Sequence, residues 1–175
     1  MEVADLPAVV ALAERLHPHH PESPTVFAER LALAPEGCRV LAADAGLAGY
    51  AISHPWTGQA PPRLDALLGV LPARPGAWHI HDIALAPGVR GMGLAAAVLR
   101  GLLAGRALPA TLVAIPGTGA IWARQGFRDA AVDDPAALSS YGAGARFMRR
   151  EPSRAGGPGS GQDGDSSRGK AGDAS

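Results

Sequence analysis

The sequence predicts an α/β fold, a mixed β-sheet flanked by helices. Two observations carry this reading. Short apolar runs at 38–43 and 47–53 are joined by Asp44-Ala45-Gly46, the signature of a hairpin. Farther on, strand-like runs at 78–86 and 110–115 are separated by an amphipathic stretch at 91–105, long enough to carry the chain back parallel to itself. Hairpin pairing followed by a helical crossover gives a sheet of mixed direction.

The elements follow in order. Asp5 is placed to cap a helix beginning at Leu6-Pro7, where the missing proline N–H costs nothing. Leu6, Val9, Val10, Leu12 and Leu16 form its apolar face, and Pro18 stops it. A second helix at 25–34 groups Phe27, Leu31 and Ala34 ahead of Pro35. The long connection 55–77 carries Leu64, Leu67, Leu68 and Leu71 at helical spacing, which predicts a short amphipathic helix. Pro87 ends the strand at 78–86. Beyond 110–115, a helix at 118–125 and strands at 127–131 and 145–149 complete the order.

The 175 residues suit one domain at 1–150 followed by a tail at 151–175. That tail has no Val, Ile, Leu, Met or aromatic residue, and seven of its 25 positions are Gly. Such a segment cannot bury enough apolar surface to offset its ordering entropy, so a disordered Gly/Ser-rich tail is expected. Basic and acidic residues balance at 16 each, so no overall field draws the protein to nucleic acid or an anionic membrane. The single Cys38 excludes an intrachain disulfide. No run reaches the length of a membrane helix and the first residues lack a basic region followed by an apolar one, so a cytoplasmic protein is expected.

The chemistry concentrates at Arg90-Gly91-Met92-Gly93-Leu94-Ala95, between a strand and a helix. Two glycines remove Cβ atoms where a ligand must approach the backbone. The helix start has no Ser, Thr, Asp or Asn cap, so its first N–H groups need an outside acceptor. A phosphate supplies one at the positive end of the helix dipole, and Arg90 adds a charge beside it. The spacing also touches a dinucleotide fingerprint, but that fold expects an acid about 20 residues on, and the next strand ends in Pro116-Gly117. No Lys-Ser or Lys-Thr follows the glycines, so a P-loop fails as well.

Pro87-x-x-Arg90-Gly91-x-Gly93-Leu94-Ala95 resembles the coenzyme A motif of the GNAT N-acetyltransferases. Ala120-Ile121-Trp122-Ala123-Arg124-Gln125-Gly126-Phe127 resembles the later motif of that family, an aromatic followed by x-x-x-Gly-Phe. The resemblance spans roughly residues 4–150. It implies a GNAT-like sheet with central splayed parallel strands and acetyl-CoA as cosubstrate. It also implies that the backbone of Arg90, Gly91, Met92, Gly93, Leu94 and Ala95 holds the pyrophosphate, while Ile83 and Leu85 pair with the pantetheine arm. Two departures stand out. The family places a strand ahead of its first helix, whereas here the helix begins at Leu6. The family's usual Tyr general acid is replaced by Trp122, whose indole is no useful proton donor at neutral pH.

An amine attacks a thioester only as the free base, so the site needs a proton acceptor. His81 and Asp82 lie on the strand before Pro87, where relatives often carry acids. Strict alternation sends His79 and His81 to one face and Asp82 to the other. His81 is the candidate base and Asp82 the candidate partner of the acceptor's ammonium; alternatively both only hydrogen-bond neighbouring backbone. Tyr141, after Ser139-Ser140, is a candidate proton donor to the thiolate, or a packing residue. Trp56 either walls the acceptor pocket or anchors the 55–77 connection. His17, His19 and His20 sit between prolines with no ligand set for a metal. The expected activity is acetyl transfer from acetyl-CoA to a primary amine, on a small molecule or peptide, by direct attack. A homodimer is an assembly the sequence permits. A non-catalytic acyl-CoA-binding module is the rival reading, motivated by Trp122.

Overall fold

The computed structural model describes residues 1–44 and 46–152. The tail expected at 151–175 lies, apart from its first two residues, outside the described residues. Helices α1 (Leu6–Leu16) and α2 (Pro24–Leu33) come first, then strands β1 (Arg39–Ala43), β2 (Gly46–Trp56) and β3 (Ala77–Leu85). Helix α3 (Leu94–Leu103), β4 (Ala110–Ala114), α4 (Gly119–Arg124), β5 (Arg128–Asp129), α5 (Pro135–Ser139) and β6 (Arg146–Arg150) follow.

The six strands form one sheet in the order β1-β2-β3-β4-β6-β5. All neighbours are antiparallel except β3 and β4, joined through α3 as the crossover requires. That parallel pair is short: Trp78, His79 and Ile80 match Ala110, Thr111 and Leu112, and pairing then stops. The remaining half of β3 diverges from β4, which opens a gap in the middle of the sheet.

Two apolar clusters cover the sheet faces. Val9, Leu12, Phe27 and Leu31 of α1 and α2 pack on Tyr50, Ile52 and Ala84. On the other face Leu99 and Leu102 of α3 pack on Ala51, Trp78, Ile80, Leu112, Phe127 and Met148. Each such fully buried aliphatic side chain contributes roughly 1.5–3 kcal/mol. No helix among the described residues is long and apolar enough to cross a membrane.

Two local expectations are corrected. Asp5 does not cap α1 with its side chain; its carboxylate accepts from the Glu2 N–H at 2.7 Å, closing a short 3-10 turn at Val3–Asp5 ahead of α1. The leucine pattern at 64–71 forms no helix. Asp65 takes a left-handed backbone (φ 54°), and side chains capture the peptide N–H groups that a helix would use. Ser140 takes that of Leu64 and Glu22 that of Asp65, while Glu29 takes those of Leu68 and Gly69. Leu67 lies exposed. The segment 57–76 is instead an irregular strap across α2 and the head of the sheet.

Candidate active site

The glycine loop presents itself as a backbone cradle. Gly91 and Gly93 have φ of +79° and +74°, in the left-handed region, and a Cβ on either would meet nothing within 4 Å. The open space lies against the N-terminus of α3, which begins at Leu94 rather than at Gly91 and has no side-chain cap. Its first N–H groups therefore point outward without an acceptor of their own. Arg90 folds back, its Nε donating to the Leu85 carbonyl at 2.9 Å, so the guanidinium is held at the mouth of the gap.

The gap carries the second half of the site. The Ala86 N–H donates to the Ala48 carbonyl at 2.8 Å, which fixes which β3 peptides face β2. By alternation the peptide groups of Ile83 and Leu85 face away from β2, into the space that β4 has vacated. A cavity of about 110 Å³ runs beside Ile83, with room for a few waters or a small acyl group. Ile80, Ile83, Leu112, Val113 and Trp122 give it an apolar lining, and His17, His20, Glu22, His81, Asp82 and Tyr141 a polar one.

His81 and Asp82 face this cavity together, against the expectation that alternation separates them. The register of β2 on β3 passes from Ile52↔Asp82 to Ser53↔Ile80, leaving His81 as the extra residue of a β-bulge. A bulge lets two consecutive side chains project from one face. Here they project toward α1 and α2.

Each then finds its own partner. His81 Nε2 lies 3.0 and 3.1 Å from the two carboxylate oxygens of Glu22. Burial pushes the Glu22 carboxyl up, but the charge and hydrogen bond of His81 more than reverse this and hold it below the usual range. An ionised carboxylate only accepts, so Nε2 carries a proton, and in the neutral ring the lone pair falls on Nδ1. That Nδ1 is buried and has no hydrogen-bond partner. Asp82 accepts from the Tyr50 hydroxyl and lies 3.4 Å from His17 Nε2. Burial pushes Asp82 up as well, and the His17 and Tyr50 interactions outweigh it, so its carboxyl too sits below the usual range. Side-chain exposure separates the two pairs: 1% and 8% for His81 and Glu22, but 24% and 20% for His17 and Asp82.

Tyr141 reaches the cavity wall, and its hydroxyl donates to the Pro62 carbonyl at 2.9 Å. Burial pushes that phenol above its ordinary range. Its own carbonyl accepts from His20 Nε2 at 3.0 Å. Trp56 lies outside the cavity lining; its indole N–H donates to the Ala60 carbonyl at 3.0 Å, so it anchors the start of the strap. Behind His81 lie two more imidazoles, His54 and His79, with ring centres 5.5 Å apart and both buried. His79 Nδ1 is 3.0 Å from the Thr111 hydroxyl. Glu22, His17 and Tyr50 are the members of the site that the sequence motifs do not reveal. The one signal for two of them is the run His17-Pro18-His19-His20-Pro21-Glu22, dense in titratable groups between prolines.

The sequence matches the model of the acetyltransferase (GNAT) family over residues 6–110. The chain belongs to that family. No curated protein sequence matches it. Among solved structures, a GNAT-like decarboxylase, GphF, in complex with isobutyryl-CoA superimposes with a TM-score of 0.69 at 18% identity, covering 87% of this chain and 97% of that one. The ribosomal-protein-S18-alanine N-acetyltransferase from Escherichia coli gives 0.57 at 21% identity, covering 89% and 93%. Naa20 from Chaetomium thermophilum, in complex with a bisubstrate analogue, gives 0.63 at 18%, covering 86% and 84%. At these identities the likeness is one of fold: the GNAT sheet with its helices, as the sequence motifs imply.

Proposed function

We propose that this GNAT protein transfers acetyl from acetyl-CoA to a primary amine by direct attack within the gap between β3 and β4. The observation that carries the reading is the His81–Glu22 pair facing the cavity beside β3, on the strand that leads directly into an open backbone cradle at the start of α3. The cradle fits a diphosphate: a left-handed Gly91 and Gly93 with open space above them, and an uncapped helix N-terminus. The outward peptide groups of Ile83 and the N–H of Leu85, whose carbonyl already accepts from Arg90, suit the amide-bearing pantetheine arm. Met92, Leu94 and Ala95 contribute backbone only. The family match supports acyl transfer over a purely binding role.

Two carboxylates held ionised in a half-apolar cavity favour a cationic guest. Asp82, the more exposed of the two, draws the ammonium of the acceptor. His81 Nδ1 takes the proton that frees the amine lone pair, and Glu22 holds the imidazole in the tautomer that makes this possible. The strap 57–76 and Tyr141 wall the acceptor side, which suits a small molecule or the end of a peptide. The N-acetyltransferases among the structural neighbours support an amine acceptor. The test is a panel of small amines and short peptides with acetyl-CoA, reading amine-dependent release of free thiol. No release with any amine, from protein shown to bind acetyl-CoA, contradicts the reading and leaves the binding-module alternative.

A further inference from the structure

Acyl transfer needs a proton at its end as well as a base at its beginning. The thiolate that leaves must be protonated, and the two groups placed for this cannot do it well. Trp122 lines the cavity where the family motif carries a phenol, and an indole N–H is not acidic. Tyr141 gives its hydroxyl proton to Pro62, and burial makes that phenol harder to ionise.

We propose that His17 is the general acid that delivers a proton to the coenzyme A sulfur as the C–S bond breaks, an inference that rests on the acyl-transfer reading above. Three observations place it there. His17 lines the same cavity as Ile83 and Trp122. Its ring is 24% exposed, so a bound thiol has access to it. It is also the C-cap residue of α1, where the negative end of the helix dipole favours an imidazolium. Nε2 is turned to Asp82 Oδ2 at 3.4 Å, an ion-pair distance, which leaves Nδ1 as the nitrogen to meet a ligand.

The groups that face His17 pull in both directions, and the acids prevail. Asp82 from β3 raises its affinity for a proton most, Glu22 adds to this, and burial and Arg90 oppose it, with the balance above the ordinary histidine value. Tyr50 from β2 holds Asp82 in place from behind. An acceptor that enters as an ammonium gives up two protons. The first passes through His81 to water as the lone pair is freed, and the second goes to His81 as the nitrogen bonds to the acyl carbon. The C–S pair leaves on sulfur, which takes the proton of His17. His81 is left protonated and His17 neutral, and one transfer through water resets both.

Coenzyme A itself is the probe, and the thiolate's ultraviolet absorbance is the readout. Titration of the thiol bound to the parent, to His17→Gln and to His17→Lys reports whether a cation faces the sulfur, without any turnover. The parent should lower the bound thiol's midpoint by about one pH unit or more relative to His17→Gln, and His17→Lys should restore most of the difference. Should His17→Gln fail to fold, His17→Asn takes its place in the same titration. Identical midpoints in parent and His17→Gln overturn the assignment while leaving the coenzyme A site standing. A shift that His17→Lys does not reverse reflects a rearranged pocket and overturns it too. If coenzyme A does not bind the parent, the acyl-transfer reading falls, and this inference with it.

Discussion

His81 and Glu22 stand 59 positions apart and meet at 3.0 Å, because a bulge in β3 turns His81 toward the loop between α1 and α2. Glu22 acts on the reaction only through His81, so it is a positioning residue. Glu22→Gln should lower kcat by ~10²-fold or more while the KM for acetyl-CoA stays unchanged, since the carboxylate fixes the imidazole's tautomer. The pH–rate profile should change shape as well. A Glu22→Gln enzyme with the parent's profile and kcat removes Glu22 from the mechanism.

The cradle is tested by a matched pair of glycines. Gly93 and Gly105 both have left-handed backbones, at +74° and +70°, and open space at the Cβ position. Alanine at either should cost a similar ~1–2 kcal/mol of stability. Only Gly93→Ala puts a methyl group where a phosphate must approach. Calorimetric titration with acetyl-CoA should show weakened binding for Gly93→Ala and parental binding for Gly105→Ala. Equal affinities would move the cofactor away from this loop.

The strap offers a third test. Glu29 accepts from the Leu68 and Gly69 N–H groups at 2.8 Å each and pairs with Arg30, whose Nη2 donates to the Ala66 carbonyl at 2.7 Å. Arg30 is fully buried, so removing its partner leaves an uncompensated charge. Glu29→Ala should lower stability by about 3 kcal/mol and free the strap. The KM for the amine should rise while acetyl-CoA affinity holds. An unchanged KM would show that the strap does not shape the acceptor pocket.

The outline of the fold was legible because it depends on local patterns. Pro18, Pro35 and Pro87 punctuate the chain, the run ahead of Pro87 alternates as a strand, and the glycine loop sits where a crossover must begin. Apart from the Asp5 cap, lost to a local bond with the Glu2 N–H, the larger failures are tertiary. Leu64, Leu67, Leu68 and Leu71 have helical spacing, but Ser140, Glu22 and Glu29 seize the peptide groups on which a helix depends. The bulge at His81 is a matter of register between two strands, and nothing in 78–86 alone announces it. Helix α5 is a short turn capped by the Asp134 side chain, too brief to leave a periodic trace. In the candidate site, the left-handed turns at Gly91 and Gly93 were legible from the motif. Glu22, His17 and Tyr50 were not, because their relevance comes only from packing against β3.

Acid should destabilise the fold through its buried histidines. Burial holds His54 down to about 3, with the nearby His81 adding to the effect, and holds His79 well below the ordinary value in the same way. An unfolded histidine takes a proton near pH 6.5, so below that point the unfolded chain binds protons that the native state refuses. Stability therefore falls as pH drops. His17, raised instead, is protonated in both states below that point and contributes a constant. Glu22 and Asp82, lowered, lose their contribution only below about pH 4. Denaturant unfolding between about pH 6 and 4.5 should show His54→Phe with a slope smaller by ~1.4 kcal/mol per pH unit than the parent. Parallel slopes would mean that His54 titrates alike in both states.

Thiol release from acetyl-CoA by His81→Ala, with acetyl-CoA affinity measured on the same sample, addresses the central claim most directly. The cofactor contacts proposed on β3 are backbone ones, so binding should survive the substitution. Amine-dependent release should fall by about 10²–10⁴-fold, the usual consequence of losing a general base. Retained binding with the parent's rate and pH profile would contradict the account and leave positioning in the gap as the source of catalysis.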